Sequence, residues 1–190
     1  QENVKAAWQA ADIYCSFSDN TQETFGISPI EAMASGLPVV VSDWDGYKES
    51  VREGIDGFKI STCMPEGGLG YDIAQLYALD VDTYDRYIGK SSSFVSINVE
   101  QAAARFSELI RGAELREKFG QNGKKRVKET FDWKVIIPQY EDLWEQLSQD
   151  RKKNNQKAKL ANSWPERSDP FASFEHYASR KLSLSDQFEL

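Results

Sequence analysis

The feature that most narrows the fold is the run Leu37-Pro38-Val39-Val40-Val41 directly after Gly36. A strand with one wet face alternates apolar and polar side chains, because successive side chains point to opposite sides. Here the valines follow one another with no polar residue between them. That predicts a strand covered on both faces, as in a parallel sheet with helices on each side. The neighbouring sequence supplies the other parts. Residues 12–17 read as a short β-prone strand centred on 13–17, closed by the polar cluster Ser18-Asp19-Asn20-Thr21-Gln22. Ser28 reads as an N-cap and Pro29 as the first helical residue, with Glu31 in the first turn of a helix over 30–35 and Gly36 as its stop. Residues 45–54 read as a short helix and 57–60 as a third strand.

The order strand, loop, helix, strand predicts an α/β fold: a Rossmann-like parallel sheet with flanking helices. If these strands are the second half of a 3-2-1-4-5-6 order, strand 13–17 should lie beside a first strand outside this sequence. The loop 18–28 would then open at the carboxyl edge of the sheet, at the topological switch point where such folds bind ligands. Gln1 stands where an initiator Met is expected, and Ala6, Ala7, Ala10 and Trp8 read as the end of a helix already under way. The expectation is that further sequence precedes it.

From Tyr71 the period is helical. Asn98 and Gln101 make a capping-box pair ahead of a stripe of Val99, Ala102, Ala103, Phe106, Leu109 and Ile110. Leu115, Phe119 and Val127 continue into a helix expected to break or bend near Gly120 and Gly123. Asp132 caps a last helix, about 132–148, whose stripe includes Trp133, Ile136, Ile137, Tyr140, Leu143, Trp144 and Leu147 and which Pro138 should kink. Tyr140, Leu143, Trp144 and Leu147 are expected to be less buried than their period implies. Residues 149–168 are basic and polar and read as a linker. Residues 169–190, with Phe171, Phe174, Tyr177 and Phe188, read as an aromatic tail that docks on something.

The 190 residues allow one domain with an appendage. The net charge of −7 is unevenly spread, with 15 Lys+Arg against 25 Asp+Glu in residues 1–150 and 8 against 5 beyond. An acidic body argues against nucleic acid as a partner, since that binding needs clustered positive charge. No membrane-span pattern and no signal-peptide pattern is visible in the sequence. Cys15 and Cys63 lack metal-ligand spacing and read as buried reduced thiols of a cytoplasmic protein.

Glu23 and Glu31 enclose seven residues, a spacing that means little alone. Among 16 Glu it is expected by chance, and Glu100 and Glu108 repeat it. The context gives it weight: Glu23 lies in the loop after a strand, Glu31 inside a helix start, and between them Gly26 lets backbone approach a ligand. A helix N-terminus offers free amides that suit phosphate. Acceptor, amides, acceptor is the arrangement that a sugar hydroxyl, a diphosphate and a ribose require.

The residues Ala11-Asp12, the block E-T-F-G-I-S-P-I-E-A-M-A-S-G-L-P-V-V from Glu23, and D-G-F-K-I from Asp56 resemble the donor-binding region of retaining GT-B glycosyltransferases, family 4. The likeness continues through Leu115-Arg116, Gly120, Gly123 and Phe131-Asp132-Trp133, covering about residues 5–147. It implies that residues 1–148 are the second half of a GT-B C-terminal, donor-nucleotide-binding domain. It further implies that Glu23 bonds hydroxyls of the donor sugar and is the catalytic candidate. The backbone of Phe25, Gly26, Ile27 and Ser28 would meet sugar and diphosphate, and Glu31 the ribose. Ser28 and Pro29 differ from the apolar residues common at those places but match a capped helix start.

The activity implied is retaining transfer of a hexosyl unit from a UDP- or GDP-sugar to a sugar or glycolipid acceptor. No metal ion or other cofactor is implied, because helix amides and an upstream Arg/Lys pair would hold the departing diphosphate. The strand region that carries that pair is expected outside this sequence, as is an N-terminal Rossmann-like domain that binds acceptor and could also bring the protein to a membrane surface. The isolated chain is therefore expected to be inactive and to self-associate through its open strand edge. Asp43, Trp44 and Tyr47 are candidates for the acceptor-side loop, with loop packing as the competing role. His176 falls in the tail and reads as a surface or packing residue. A non-catalytic sugar-nucleotide or protein-binding module on the same fold remains the alternative.

Overall fold

Val39–Ser42 (β2 below) is fully buried along its whole length, and the rest of the chain is arranged to cover it. The structure, a computed structural model, describes residues 2–153, 170–183 and 185–187. In order come α1 (Glu2–Ala10), β1 (Tyr14–Ser16), α2 (Ile27–Ser35), β2 (Val39–Ser42), α3 (Tyr47–Ser50) and β3 (Gly57–Ile60). The three strands form a parallel sheet in the order β1-β2-β3, with Tyr14 opposite Val39 and Val40 opposite Phe58. The expected α/β architecture is present, and β1 is the outer strand with no neighbour on its far side among the described residues.

Alternation along β2 sends its side chains into separate cores. Val39 and Val41 pack with Ile30, Met33 and Leu37 around α2, whereas Val40 packs with Phe58, Ile60, Ala102, Leu109 and Phe119. The last three come from α6 (Val99–Arg111) and α7 (Ala113–Arg126), reached through β4 (Thr62–Pro65), α4 (Tyr71–Ala78), α5 (Tyr84–Ser92) and β5 (Ser96–Ile97). A π-helical turn, Val127–Phe131, leads into α8 (Trp133–Lys153), and the tail adds α9 (Pro170–Ser173) and β6 (Arg180–Leu182).

Several expectations are corrected by particular contacts. The capping box at Asn98 is half formed: Asn98 Oδ1 accepts from the Gln101 amide at 2.9 Å, but Gln101 Oε1 accepts from the Ser61 amide and hydroxyl. The α6 stripe is narrower than its period, since Val99, Ala103 and Ile110 are exposed. Gly120 and Gly123 do not break α7. They are where it meets α2: a Cβ on Gly120 would lie 2.1 Å from the Gly36 carbonyl oxygen. Asp132 does cap α8, its carboxylate accepting from the Lys134 amide. That helix runs five residues past the expected end at 148, to Lys153, so only 154–168 of the expected linker lies outside it and outside the described residues. Tyr140, Leu143, Trp144 and Leu147 are exposed, as expected. Cys15 is exposed on the edge strand rather than buried.

The larger surprise is a second sheet, β5-β4-β6, in which the tail strand runs parallel to β4 with Cys63 opposite Arg180. The tail does dock. Phe171 and Tyr177 are buried with Trp44, Met64, Ile73 and Ile88, while Phe188 lies outside the described residues.

Helical Gly→Ala gains about 1 kcal/mol in propensity, and overpacking costs about 1–3 kcal/mol. At Gly120 the obstacle is backbone, so Gly120→Ala should lower the urea midpoint clearly. At Gly123 the nearest atoms are the Met33 Cβ and Cγ at 3.1 Å, which yield more easily, so Gly123→Ala should be close to neutral in the same titration.

Candidate functional site

The loop after β1 and the start of α2 lie at the carboxyl edge of the parallel sheet. The helix begins earlier than its sequence suggests. Gly26, not Ser28, is the N-cap, Pro29 is in the third helical place, and Glu31 falls just past the first turn. Gly26 takes φ 69° and ψ 84°, a left-handed conformation open to glycine at little cost. Space demands it as well, since a Cβ there would sit 1.9 Å from Tyr47 Cε1. Among the described residues no side chain caps α2, so the amides of its first turn are left for solvent or ligand.

Ser28 instead accepts a hydrogen bond from the Tyr14 hydroxyl at 2.7 Å. Two residues along the same strand face, Ser16 Oγ pairs with the Tyr47 hydroxyl at 2.8 Å, and that hydroxyl reaches Glu23 Oε2 at 3.4 Å. Burial pushes the Tyr47 phenol up, opposed by its bond to Ser16 and reinforced by the charge of Glu23. A carboxylate has about four acceptor positions, and Tyr47 occupies one. Glu23 is thus held by its amide, which donates to the Asn20 carbonyl at 3.3 Å, and by its carboxylate.

Phe25 and Ile27 are largely exposed, 48% and 65%, on either side of Gly26. Glu23, Phe25, Gly26, Ile27 and Ser28 are therefore brought together in one turn. Glu31 lies further along α2, exposed, in an open pocket of about 560 Å³ shared with Val4, Lys5, Trp8, Ala34 and Ser35. A second open pocket, about 460 Å³, joins Phe25 to Phe131, Ile136, Tyr140 and Leu143. Among the described residues no three His, Cys, Asp or Glu side chains gather closely enough to hold a metal ion.

The loop after β2 behaves differently from expectation. Trp44 is 0% exposed, with its ring edge-on to Tyr177 at 5.4 Å and its indole N–H donating to the Asn20 carbonyl at 2.9 Å. It is a core residue and no acceptor contact. Tyr47, also buried, supports the loop from beneath. Asp43 stays partly exposed, 3.7 Å from Lys59 Nζ. Asp56 of the D-G-F-K-I segment is fully buried and grips Arg52 through two bonds of 2.6 and 2.8 Å, a structural clamp. His176 is exposed, 3.7 Å from Asp45. Sequence reasoning missed Tyr14, Ser16 and Asn20. The polar residues at alternate positions 14 and 16 were the available signal; nothing marked the Asn20 carbonyl.

The parallel α/β sheet carries a glycine-turned loop and an uncapped helix start at its carboxyl edge, the place where doubly wound folds in general bind ligands. Residues 1–92 match the family described as glycosyl transferases group 1. A phosphatidyl-myo-inositol mannosyltransferase from Mycobacterium leprae is 29% identical over 143 residues, covering 75% of this chain and 29% of that protein. A D-inositol 3-phosphate glycosyltransferase from Mycolicibacterium gilvum is 30% identical over 86 residues, 45% of this chain and 19% of that protein. A solved sucrose-phosphate synthase from Thermosynechococcus elongatus is similar with TM-score 0.49 and 21% identity, over 78% of this chain and 28% of that one. The family match covers residues 1–92, and both curated relatives named above are glycosyltransferases. The chain spans less than a third of the length of these relatives.

Tyr47→Phe leaves Ser16 and Glu23 without their shared partner and should cost about 1–2 kcal/mol in urea unfolding. The pH dependence has a separate source. Burial, with the hydrogen bond to Asp45 and its charge, pushes the Tyr177 phenol from 10 up to about 12. The folded chain then keeps a proton that the unfolded chain has released. The associated stability, roughly 2–3 kcal/mol, is complete below the unfolded value and is lost as pH rises through the folded one. Wild type should lose stability between pH 10 and about 12 more steeply than Tyr177→Phe, as read by urea melts at each pH.

Proposed function

We propose that this chain is the donor-binding part of a retaining GT-B glycosyltransferase of family 4, with Glu23 and Glu31 as the two glutamates of an E-x7-E motif. The observation that carries this reading is the turn at Gly26. It sets a braced carboxylate, exposed backbone and an uncapped helix start side by side within the segment that matches group 1 glycosyltransferases.

In this reading the diphosphate of a UDP- or GDP-sugar lies at the α2 N-terminus, where free amides and the helix dipole favour negative charge. Gly26 allows the backbone contact that a side chain would block. Glu31 takes the ribose hydroxyls, with Trp8 and Lys5 lining the same pocket. Glu23 takes hydroxyls of the donor sugar. Charged hydrogen bonds of this kind contribute about 1.5–3 kcal/mol each.

As the glycosyl group leaves, its ring flattens and gains positive charge, so a carboxylate fixed beside it binds the transition state more strongly than the ground state. The growing negative charge on the diphosphate is met by the α2 amides and by a basic pair contributed from outside this sequence. The acceptor, a sugar or glycolipid, would be supplied to the other wall of the cleft by an N-terminal Rossmann-like domain. The 190-residue chain alone then binds donor without turning it over.

Incubating the full-length protein with a panel of nucleotide sugars and following their consumption tests the reading. Donor binding without turnover in the full-length protein would make it a non-catalytic module. Glu31→Gln should mainly raise KM, because ribose changes little during reaction. Glu23→Gln, nearly isosteric but neutral, should lower kcat by ~10–1,000-fold. An intact kcat with a lowered melting temperature would reduce Glu23 to a loop brace.

A further inference from the structure

We infer that the C-terminal segment 170–182 is a positioning element for the turn that carries Glu23, acting through Trp44. Tyr177 closes over Trp44 edge-on, and its carbonyl accepts from the Asp45 amide at 3.2 Å. Lys48 Nζ donates to the carbonyls of His176 and Ala178 at 2.8 and 2.9 Å, tying the start of α3 to the same stretch. Ser179 and Thr62 exchange bonds between hydroxyls and backbone, and Thr62 Oγ1 passes one on to the Asp43 carbonyl at 2.8 Å. The segment therefore holds the loop after β2 at Asp43, Trp44, Asp45 and Lys48.

That loop in turn holds the Glu23 turn. The Trp44 indole N–H and the Glu23 amide both donate to one acceptor, the Asn20 carbonyl. Gly46 lies against the same turn so closely that a Cβ there would be 2.4 Å from the Thr24 carbonyl oxygen and 2.6 Å from Phe25 Cα. Ser42 Oγ donates to the Ser18 carbonyl at 2.6 Å. Two loops at the carboxyl edge of the sheet are fastened to each other, and one of them is fastened to the tail. Asp45 adopts φ 31°, an uncommon value for a residue with a side chain, and it is the residue whose amide the Tyr177 carbonyl receives. The Asp45 carbonyl also accepts from the Lys48 amide at 2.9 Å, so the residue is held from both the tail and α3.

The relevance to donor binding rests on the reading of Glu23 given above, so the decisive measurement is one that needs no donor. Amide hydrogen exchange on the whole chain should show Gln22 and Glu23 exchanging about tenfold faster in Trp44→Phe, which keeps an aromatic ring but loses the bond to Asn20. The amides of Val39–Val41 should be unchanged. Tyr177→Ala should accelerate residues 22–23 and 170–182 together. Because it removes a buried ring, Lys48→Met, which releases the two carbonyl bonds and a charge near Asp43 and Asp45 but leaves every ring in place, provides a second and gentler variant with the same expected pattern. Unchanged exchange at residues 22 and 23 in Trp44→Phe and Lys48→Met would overturn the inference, as would a uniform acceleration that includes β2. Titration with GDP and with UDP reads the consequence: whichever binds wild type should bind each variant about three- to tenfold more weakly. Failure of wild type to bind either one counts against the donor reading and leaves the exchange result to decide the positioning role.

Discussion

The site depends on one side chain placed beneath it. Tyr47 enters from the helix after β2, fills the space under Gly26 so that only glycine fits, and joins Ser16 on β1 to Glu23 through its hydroxyl. Its position follows from the buried β2 strand, which fixes where α3 begins, and from Gly46, whose missing side chain lets the two loops touch. The shape of the turn and the position of its carboxylate thus both depend on this aromatic ring. A phenol suits this role because it combines a large apolar body with one polar tip.

Much of the framework was legible because it rests on local rules. The valine run announced a strand covered on both faces, Gly36 a helix end, and Asp132 a cap, and each has its expected place. What escaped the sequence was decided across long distances. Ser28 looks like an N-cap, but Tyr14 claims its hydroxyl and the helix starts at Gly26. Gly120 looks like a helix break, yet it is a contact point whose meaning requires knowing that Gly36 lies opposite. Trp44 looks like a cleft residue until Tyr177 is seen on top of it. The Glu23 and Glu31 spacing was readable, whereas the hydroxyl chain that braces Glu23 runs from Ser16 through Tyr47 and has no local signature.

The group 1 glycosyltransferase match ends at residue 92, yet the elements that stiffen the matched part come from well beyond it. Leu109 and Phe119 close the core behind Val40, Arg126 bonds the Ser50 and Glu49 carbonyls at the end of α3, and the tail seals Trp44. Division of labour follows: the candidate site lies in one stretch, and later stretches supply the contacts that hold it. Such an arrangement keeps a loop site reproducible, since a carboxylate on a loop is only as well placed as the groups that restrain it.

The partnership of Thr62 with Ser179 spans 117 residues of chain, and this has a temporal side. Contacts between remote positions form late because loop closure must precede them, and synthesis releases the chain from its N-terminal end. Everything needed to build β1-β2-β3 and the helices over it has left the ribosome before residue 170 is made. Trp44 can be covered by Tyr177 only once residues 170–182 have been made. The sheet β1-β2-β3 draws only on residues 14–60, whereas the cover over Trp44 draws on residues 171–178, so the wall of the candidate site joins the earliest-made and the latest-made parts of the described chain.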